Sequence, residues 1–549
     1  PATSDGIFIF APGGMDVVDG EAVRVRGTVS EFNGLTEITA SQVLRCSTGN
    51  SVAATPLALP VTSPDAFEPY EGMLVTFPQP LVISEYFNFD RFGEIVLTSR
   101  RHLTPTAEYE PGSPEALQAM QDFLLDKITL DDGRSVQNPN PAIHPDGAVF
   151  DLTNLFRGGD TVTNVTGVMD YSFGLYRIQP TQGAEYTSLN SRPAQPPEVG
   201  GNLKVASFNV LNYFTTIDTG AFICGPAADQ ECRGADTPEE LARQRAKILA
   251  ALSAVQPDIA GLMEIQNDDD ASVADLVSGL NDVFGAGTYD YVRTGFIGTD
   301  AIKLALIYKP ASVSLVGGYA ILDSTVDPRF IDTKNRPTLA QTFMDNTTGG
   351  IFTVAVNHLK SKGSDCNDMN DPDLLDGAGN CNLTRTAAAQ ALVDWLASDP
   401  TGSGDSDYLI IGDLNSYDKE DPIDAIKAGP DDILGTADDY TDLIFNYQGE
   451  DAYSYVFDGQ IGYLDYALAS PGLVSEVTGT ADWHINADEP DLIDYDMSFK
   501  APAQDALYAP DPYRASDHDP VIVGLNVCDE IAPTLAVSVT PDVLWPANH

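Results

Sequence analysis

Basic residues are scarce in this chain of 549 residues, which contains 29 lysines and arginines against 81 aspartates and glutamates. The formal net charge of −52 at pH 7 repels nucleic acids and anionic membranes at long range. Binding of any polyanion must therefore depend on local groups of cations, on a bound metal ion or on screening by salt. Adaptation to a salty or calcium-rich medium is the alternative explanation of this charge.

Long apolar runs and metal-binding cysteine motifs are also missing. No apolar run approaches the roughly 20 residues that a helix needs to cross a bilayer. The six cysteines include no C-x-x-C pair, and no histidines cluster with them, which disfavours a structural zinc site. The chain must therefore gain stability from its apolar core, from disulfides or from other metals.

The cysteines that are present suggest disulfides. Four of them form two pairs that each enclose a short loop rich in Gly, Asp and Asn: Cys224 with Cys232, and Cys366 with Cys381. This spacing predicts two local disulfides and an oxidising, extracellular or cell-surface location. The state of Cys46 and Cys528 stays open.

Length and pattern divide the chain into four segments. Residues 1–110 contain short strands between Gly, Asp and Asn turns, which predicts a β-barrel module of OB type. Residues 111–197 add a helix started by Ser113 and Pro114, further strands and a linker. Residues 198–528 alternate strands with helices, which predicts a layered α/β domain. Residues 529–549 suggest the start of a truncated Ig-like β domain.

Polar residues recur at the ends of apolar strands in the third segment. The run at 408–412 ends in Asp413 and Asn415, and one such strand end by itself is most often a capped turn. The same pattern occurs at five other strand ends: Asn209, Glu264, His358, Asp465, and Asp517 with His518. Burying so many carboxylates at one sheet edge is costly unless they hold a cation. Oxygen ligands of this kind predict Mg²⁺ or Mn²⁺, with Ca²⁺ as an alternative.

Histidines and lysines in the same region suggest phosphate chemistry. His358 and His518 stand near carboxylates, where they can act as general acid and base or as donors to a developing phosphorane. Lys360 and Lys362 follow His358 and place positive charge where a phosphate would approach. Lys303 has two interpretations, a phosphate ligand or a solvated residue at a strand edge.

These motifs, taken in order, resemble the endonuclease/exonuclease/phosphatase superfamily with the DNase I-like fold. They are Ser-Phe-Asn209, Met-Glu264, Asn-His358-Leu-Lys-Ser-Lys, Gly-Asp413-Leu-Asn415-Ser, Leu-Asp465-Tyr and Ser-Asp517-His518-Asp-Pro-Val. The resemblance covers roughly residues 200–527. It implies a four-layer α/β sandwich of two mixed sheets with helices outside, and hydrolysis of phosphoesters.

The β-rich segment ahead of this domain extends the resemblance. Joined to such a domain, it resembles the secreted bacterial extracellular nucleases of the ExeM/NucH type. That resemblance implies a metal-dependent endonuclease whose substrate is extracellular DNA, or RNA. Two rivals remain: a phospholipid or inositol-phosphate phosphoesterase of the same fold, and a non-catalytic binding or adhesion protein. The OB-like module favours nucleic acid, since such barrels present a face to single strands.

The superfamily resemblance implies a metal site and a charge pair. Glu264 and Asp517, with help from Asn209, would hold the catalytic divalent ion. Asp465 would orient and polarise His518, so that this pair activates the attacking water or stabilises the transition state.

The same resemblance implies roles around the phosphate. His358 would contact the scissile phosphate and protonate the leaving oxygen, while Asp413 and Asn415 would bind metal, phosphate or the nucleophilic water. Whether Asp413 or His518 is the general base stays open. The first histidine of the DNase I-like pattern leans on a carboxylate from the preceding strand, and Asp300 is here the nearest candidate.

Two acidic loops, at 365–371 and 431–439, suggest further cations. Neither loop has the spacing of an EF-hand. Structural Ca²⁺ and a merely solvated acidic loop are both open interpretations.

Overall fold

The structure is a computed structural model that describes residues 4–498 and 500–528. The predicted start of an Ig-like domain at 529–549 lies outside the described residues. The two predicted disulfides, Cys224–Cys232 and Cys366–Cys381, are present, and Cys46 and Cys528 are exposed free thiols. Within the described ranges, no helix has the length and apolar character needed to cross a membrane.

The N-terminal part is a β-rich module, as the sequence predicts. Its elements are β1 (Phe8–Phe10), β2 (Ala22–Phe32), β3 (Leu35–Ser47), β4 (Thr55–Pro56), β5 (Leu74–Phe77), β6 (Leu81–Glu85), α1 (Phe89–Phe92), β7 (Ile95–Thr98), β8 (His102–Leu103), α2 (Pro105–Glu108), α3 (Pro114–Leu125), β9 (Lys127–Leu130), β10 (Thr161–Thr163), β11 (Val165–Ser172), β12 (Leu175–Pro180) and β13 (Glu185–Thr187). Strands β1 to β3 form a separate three-stranded sheet.

One nine-stranded sheet forms the body of this module. Its strand order is β13-β10-β6-β7-β9-β12-β11-β5-β4. Strand β9 lies between β7, with which it pairs antiparallel, and β12, with which it pairs parallel. The boundary predicted at residue 110 therefore falls between strands that belong to the same sheet. Buried aromatic and aliphatic side chains such as Phe77, Leu97 and Ile178 form its core.

The following α/β part contains the remaining elements. They are β14 (Leu203–Tyr213), β15 (Phe222–Cys224), β16 (Gln230–Glu231), α4 (Pro238–Val255), β17 (Ile259–Gln266), α5 (Ala271–Phe284), β18 (Asp290–Tyr291), β19 (Ile302–Tyr308), β20 (Val313–Leu322), β21 (Arg336–Asp345), β22 (Ile351–His358), α6 (Asn382–Ala397), β23 (Tyr408–Asp413), α7 (Asp421–Lys427), β24 (Thr441–Asp442), α8 (Leu443–Gln448), β25 (Tyr455–Phe457), β26 (Gln460–Gly462), β27 (Asp465–Ala469), β28 (Val477–Asp482) and β29 (Val521–Leu525).

Two six-stranded sheets pack face to face in this part. One has the order β18-β19-β17-β14-β29-β28 and the other β20-β21-β22-β23-β27-β24. Alternate side chains of β14 face opposite ways, as the pleat requires: Val205 joins the core between the sheets, whereas Ala206 and Phe208 pack in the outer core with α4 and α5. The predicted α/β sandwich preceded by a β-rich module is therefore confirmed.

Buried ion pairs join the module to the α/β part. Three arginines of the module contact two carboxylates that have no exposed surface: Arg101 to Asp488 at 2.6 Å, Arg157 to Glu489 at 2.8 Å, and Arg192 to Glu489 at 2.6 Å. Burial alone would raise the pKa of Asp488, but the guanidinium groups of Arg101 and Arg157 outweigh it and lower this pKa to about 2. Asp488 is therefore charged, and both acids are paired with arginines across the contact between the two parts.

Candidate active site

Four polar residues lie side by side across one sheet, and three of them were predicted as site residues. Strand pairing places Arg336 of β21 opposite His358 of β22, His358 opposite Asp413 of β23, and Asp413 opposite Asp465 of β27. Because directly paired residues in neighbouring strands are close in space, the row concentrates these groups at one level of the sheet. The predicted convergence of strand ends is thus present for this sheet.

Gly412 allows the close pairing that produces this row. Its φ is 131°, a conformation that side-chain-bearing residues rarely adopt, and an added Cβ would lie 2.0 Å from the carbonyl oxygen of Asn357. Any other residue would push β23 away from β22. The glycine before Asp413 is therefore needed to bring Asp413 next to His358.

His518 is oriented by a buried carboxylate. It lies in the loop that connects β28 to β29. Its Nδ1 donates a hydrogen bond of 2.7 Å to Oδ2 of Asp465, and that oxygen also accepts a hydrogen bond from the Ser454 hydroxyl. The ring of Tyr455 stacks on the imidazole with centroids 4.6 Å apart. Burial opposes the charge on His518, but the surrounding carboxylates, Asp465 first among them, outweigh it and raise its pKa well above the ordinary value.

A loop at 484–489 holds the backbone of His518. The amide of Asn486 donates to the carbonyl oxygen of His518 at 2.6 Å and its oxygen accepts from the backbone of Ala515 at 2.8 Å. Asp519 in turn accepts hydrogen bonds from the loop backbone, including the N–H of Asn486 at 2.7 Å. Arg157 of the module donates to the carbonyl of His484 at 2.6 Å. The module therefore contacts the loop that positions His518.

Asp413 is the centre of a group of nitrogen atoms. Its Oδ2 lies 3.1 Å from Nδ2 of Asn415, 3.5 Å from Nδ2 of Asn209, 3.5 Å from Nε2 of His358 and 4.0 Å from Nε2 of His518. Burial raises the pKa of Asp413 to about 7, although the positive charge of His518 works against this shift. Asn415 also donates its backbone N–H to Asp413 at 2.8 Å, so that the carboxylate is fixed from both sides.

His358 has a different electrostatic environment from His518. Burial and the positive charges of Arg336 and His518 hold its pKa well below the ordinary value. The predicted partner Asp300 does not contact it. Asp300 instead pairs with Arg233 at 2.6 Å and with Arg336 at 3.0 Å, whereas Nε2 of His358 lies 3.9 Å from Glu264.

The residues predicted to hold a metal ion lie at the edge of the other sheet. Asn209 of β14 donates to Glu264 of β17 at 3.3 Å, and the backbone N–H of Asn212 donates to the same carboxylate at 2.9 Å. Glu264 has a φ of 63°, and the pairing of β14 with β17 is irregular beyond Asn209. Burial, and then the negative charge of Asp517, raise the pKa of Glu264. Two partly exposed carboxylates therefore repel each other at this end of the sheet.

This donor set fits a hard divalent ion. Among residues 4–498 and 500–528, no three His, Cys, Asp or Glu side chains form a group that could hold a metal by themselves. Mg²⁺, however, is usually bound through one or two carboxylates, with water and substrate phosphate completing its shell. Glu264 and Asp517 supply two such carboxylates, and a cation would relieve the repulsion between them. The amide oxygen of Asn209 accepts the N–H of Leu211, and its amide nitrogen faces Glu264.

The predicted lysines have different surroundings. The ammonium of Lys303 is buried and bonds to Asp270 and to the carbonyl of Gly295, so it is a structural residue rather than a phosphate ligand. Lys303 lies in β19, which belongs to the opposite sheet from His358. Lys362 pairs with Glu420. Lys360 is half-buried, and burial together with neighbouring cations lowers its pKa.

Arg336 is a candidate functional residue that sequence reasoning missed. Its Nε contacts Asp300 at 3.0 Å, while its Nη1 is buried and has no hydrogen-bond partner within the described parts of the chain. The guanidinium acts electrostatically on both His358 and Glu264. Because β21 is buried along nearly its whole length and shows no alternation, no local pattern marks Arg336 as a neighbour of His358.

Comparison with known proteins gives two family matches. Residues 37–191 match a domain of unknown function (DUF8508), and residues 206–518 match the Endonuclease/Exonuclease/phosphatase family. No curated protein sequence matches the chain.

Several solved structures are similar to somewhat more than half of the chain. The human Nocturnin catalytic domain with bound sulfate is 16% identical with a TM-score of 0.35, covering 58% of this chain and 92% of its own. TDP2 of D. rerio complexed with a single-strand DNA product is 14% identical with a TM-score of 0.36, covering 58% and 97%. A mannosyl-6-phosphatase of Bacteroides thetaiotaomicron is 16% identical with a TM-score of 0.34, covering 59% and 99%.

The family assignment rests on the family match rather than on these scores. That match spans more than half of the chain and extends from β14 to His518. It contains every residue of the site described above, with Asn209 near one end and His518 at the other. The chain belongs to the Endonuclease/Exonuclease/phosphatase family.

Proposed function

We propose that the protein is a secreted endonuclease that hydrolyses phosphodiester bonds of DNA with a divalent metal ion. The observation that carries this proposal is the placement of two histidines with opposite pKa shifts within about 4 Å of one carboxylate, Asp413. A pair of this kind provides one charged donor and one neutral group at the same phosphate.

Each group has a defined task in this proposal. The charged imidazole of His518, held by Asp465, donates a hydrogen bond to the phosphate as negative charge develops on it. Asp413, fixed by Asn415, receives the proton of the attacking water. His358, kept neutral by its lowered pKa, contacts the phosphate, and the leaving oxygen takes its proton from the charged imidazole of His518. In these assignments His358 and Asp413 come from one sheet, Glu264 and Asn209 come from the other, and the loop before β29 of that other sheet supplies both Asp517 and His518.

The residues proposed to hold the metal ion lie beside this group, with Asn209 3.5 Å from Asp413 and Glu264 3.9 Å from His358. Glu264, Asp517 and Asn209 would hold it, and when bound it would polarise a phosphate oxygen as a Lewis acid. Mg²⁺ or Mn²⁺ matches the oxygen ligands, and structural Ca²⁺ in the acidic loops stays a prediction.

A cluster of cations supports a polyanionic substrate. Arg336, Arg233 and Lys360 each lower the pKa of His358 and so lie close enough to it to attract a phosphate. In a chain of net charge −52, such a cluster is the local exception that polyanion binding requires. The two disulfides support an oxidising compartment outside the cytoplasm, and hence an extracellular substrate.

Cleavage of plasmid DNA tests the proposal. We expect nicking in Mg²⁺ or Mn²⁺, none in EDTA, and a loss on the order of 10²- to 10⁴-fold for His518→Ala or His358→Ala, because each residue takes part in proton transfer or charge stabilisation. RNA, phospholipid vesicles and inositol phosphates are offered in parallel. Hydrolysis of a lipid or inositol phosphate without DNA cleavage would contradict the proposal, as would nicking that survives EDTA or either substitution in a folded protein.

A further inference from the structure

A cavity of about 970 Å³ lies where the N-terminal module meets the α/β part. The module contributes Phe87 and Tyr176 to its lining, and the α/β part contributes Tyr455 and Phe457. Phe87 is 69% exposed and Phe457 is 65% exposed. Two large apolar rings from different parts of the chain therefore face solvent around one cavity, an arrangement that costs free energy unless a ligand covers them.

The cavity is continuous with the candidate active site. Asp517, one of the proposed metal ligands, is among its lining residues, and so is Tyr455, whose ring stacks on His518. A group bound in the cavity is therefore next to the position where the scissile phosphate binds. Because of this position, the cavity can serve as a substrate-binding subsite of the candidate active site rather than as a separate site.

The charges around the cavity select against a second phosphate. Its lining contains five acidic side chains beside Asp517: Glu85, Glu94, Asp458, Asp491 and Asp494. Several are paired with cations, as Asp491 is with Arg514 and Glu94 with Arg177. The two cations of the lining, Lys127 and Arg514, are likewise engaged, the first with Asp458 at 3.7 Å. A neutral, flat group matches such walls, whereas a phosphate does not.

We propose that this cavity binds an unpaired nucleobase next to the scissile phosphate, and that the N-terminal module thereby directs the enzyme to single-stranded or frayed DNA. This inference rests on the proposed function. Every base has a flat face that stacks on aromatic side chains without regard to sequence. A base held in a duplex is already stacked and paired, so only an unpaired one can enter the cavity and stack on Phe87 or Phe457. A volume near 970 Å³ accommodates one or two bases with water.

Two exposed aromatic residues provide the test, one from each wall. Phe87→Ala and Phe457→Ala each remove a stacking surface without opening a buried core. We expect each to lower the ratio of kcat/KM on a single-stranded oligonucleotide to kcat/KM on a blunt duplex of the same sequence by about 5- to 150-fold, the range for loss of one base–aromatic stack. Thermal melting of each variant establishes that it is folded.

Phe32→Ala is the matched control. Phe32 is 61% exposed in β2 of the same module but is not part of the cavity lining, and its substitution should leave the ratio unchanged. The inference is overturned if all three variants have the wild-type ratio, or if Phe32→Ala lowers it as much as the other two.

A binding measurement separates this inference from the proposed function. If the wild-type protein cleaves no nucleic acid, the proposed function fails. Quenching of 2-aminopurine riboside fluorescence then decides the assignment of the cavity. Quenching by the wild type that is lost in Phe87→Ala and Phe457→Ala supports the base site, and absence of quenching by the wild type refutes it.

Discussion

Arg157 offers the most direct test of how the N-terminal module is attached. Arg157 is 3% exposed, and its guanidinium lies 2.8 Å from Glu489 and 3.7 Å from Asp488 and donates to the carbonyl of His484. Both carboxylates have no exposed surface. Replacing Arg157 by Met keeps a similar side-chain volume but removes the positive charge. Asp488 and Glu489 then each lose one of their cationic partners.

The expected loss of free energy of unfolding depends on the arginine partners that Glu489 and Asp488 keep in the variant. Removing one partner of a buried ion pair costs about 3–5 kcal/mol when the other charge is left without compensation. Here Glu489 keeps Arg192 and Asp488 keeps Arg101, so we expect a loss of free energy of unfolding near the lower limit, about 3 kcal/mol. Because Arg157 also contacts the loop that holds His518, kcat should fall while KM changes little.

Equilibrium denaturation in urea measures the first effect and steady-state kinetics the second. Arg329→Met is a suitable control, since Arg329 forms a surface ion pair with Asp327 that should contribute no more than about 1 kcal/mol. If Arg157→Met destabilises the protein by no more than this control, the buried ion pairs of Arg157 contribute no more to stability than a surface ion pair does. An unchanged kcat would show that the contact of Arg157 with the 484–489 loop is not needed to position His518.

Three further predictions concern the site and the stability of the fold. Asp465→Asn should lower kcat on the order of 10²- to 10⁴-fold with a small change in KM, since the carboxylate keeps His518 charged and oriented; an unchanged kcat in plasmid nicking would contradict this. Replacing Cys366 and Cys381 together by Ser should lower the free energy of unfolding by about 3 kcal/mol, because the bridge closes a loop with a sequence separation of 15; urea denaturation checks it, and a loss below 1 kcal/mol would argue against it. The folded pKa of Asp488, about 2, lies below its ordinary value of 3.8, so its contribution is present above pH 4 and is lost as pH falls toward 2. The stability difference between wild type and Asp488→Asn should shrink by about 2 kcal/mol over that interval, and a pH-independent difference would refute the assignment.

Local signals in the sequence were sufficient for several elements. Ser113 followed by Pro114 predicts the start of α3, and the structure shows the Ser113 hydroxyl accepting the N–H of Ala116 at 3.1 Å. The polar residues at strand ends could be found because an apolar strand that stops at Asp, Asn or His contrasts with its surroundings. Side-chain chemistry at the edge of a buried sheet is therefore readable from one sequence.

Strand order and register were not readable in the same way. The strand at Asp300 and Lys303 precedes His358 in the predicted order, but β20 and β21 intervene, and β19 pairs with β17 in the other sheet. Pairing between distant segments is decided by packing in three dimensions, which no local pattern encodes. This is why Arg336 was missed and why Asp300 and Lys303 were given roles that their contacts exclude.

The buried contacts of the module were equally hidden. Arg157 and Glu489 are 332 positions apart in the numbering, and nothing near either residue marks it as paired. The extreme acidity of the chain obscured them further, because a few buried carboxylates do not stand out among 81 acidic residues.

The position of β29 has a consequence for the synthesis of this protein. This strand pairs with β14 and with β28, so the last strand of the described α/β part fills an interior place in a sheet that begins some 300 residues earlier. Chains emerge from the ribosome N-terminus first, at about 5–20 residues per second. His518 and Asp517 directly precede β29, and the histidine is in place only when the strand has joined the sheet. A nascent chain, or one truncated before β29, therefore lacks an assembled candidate site.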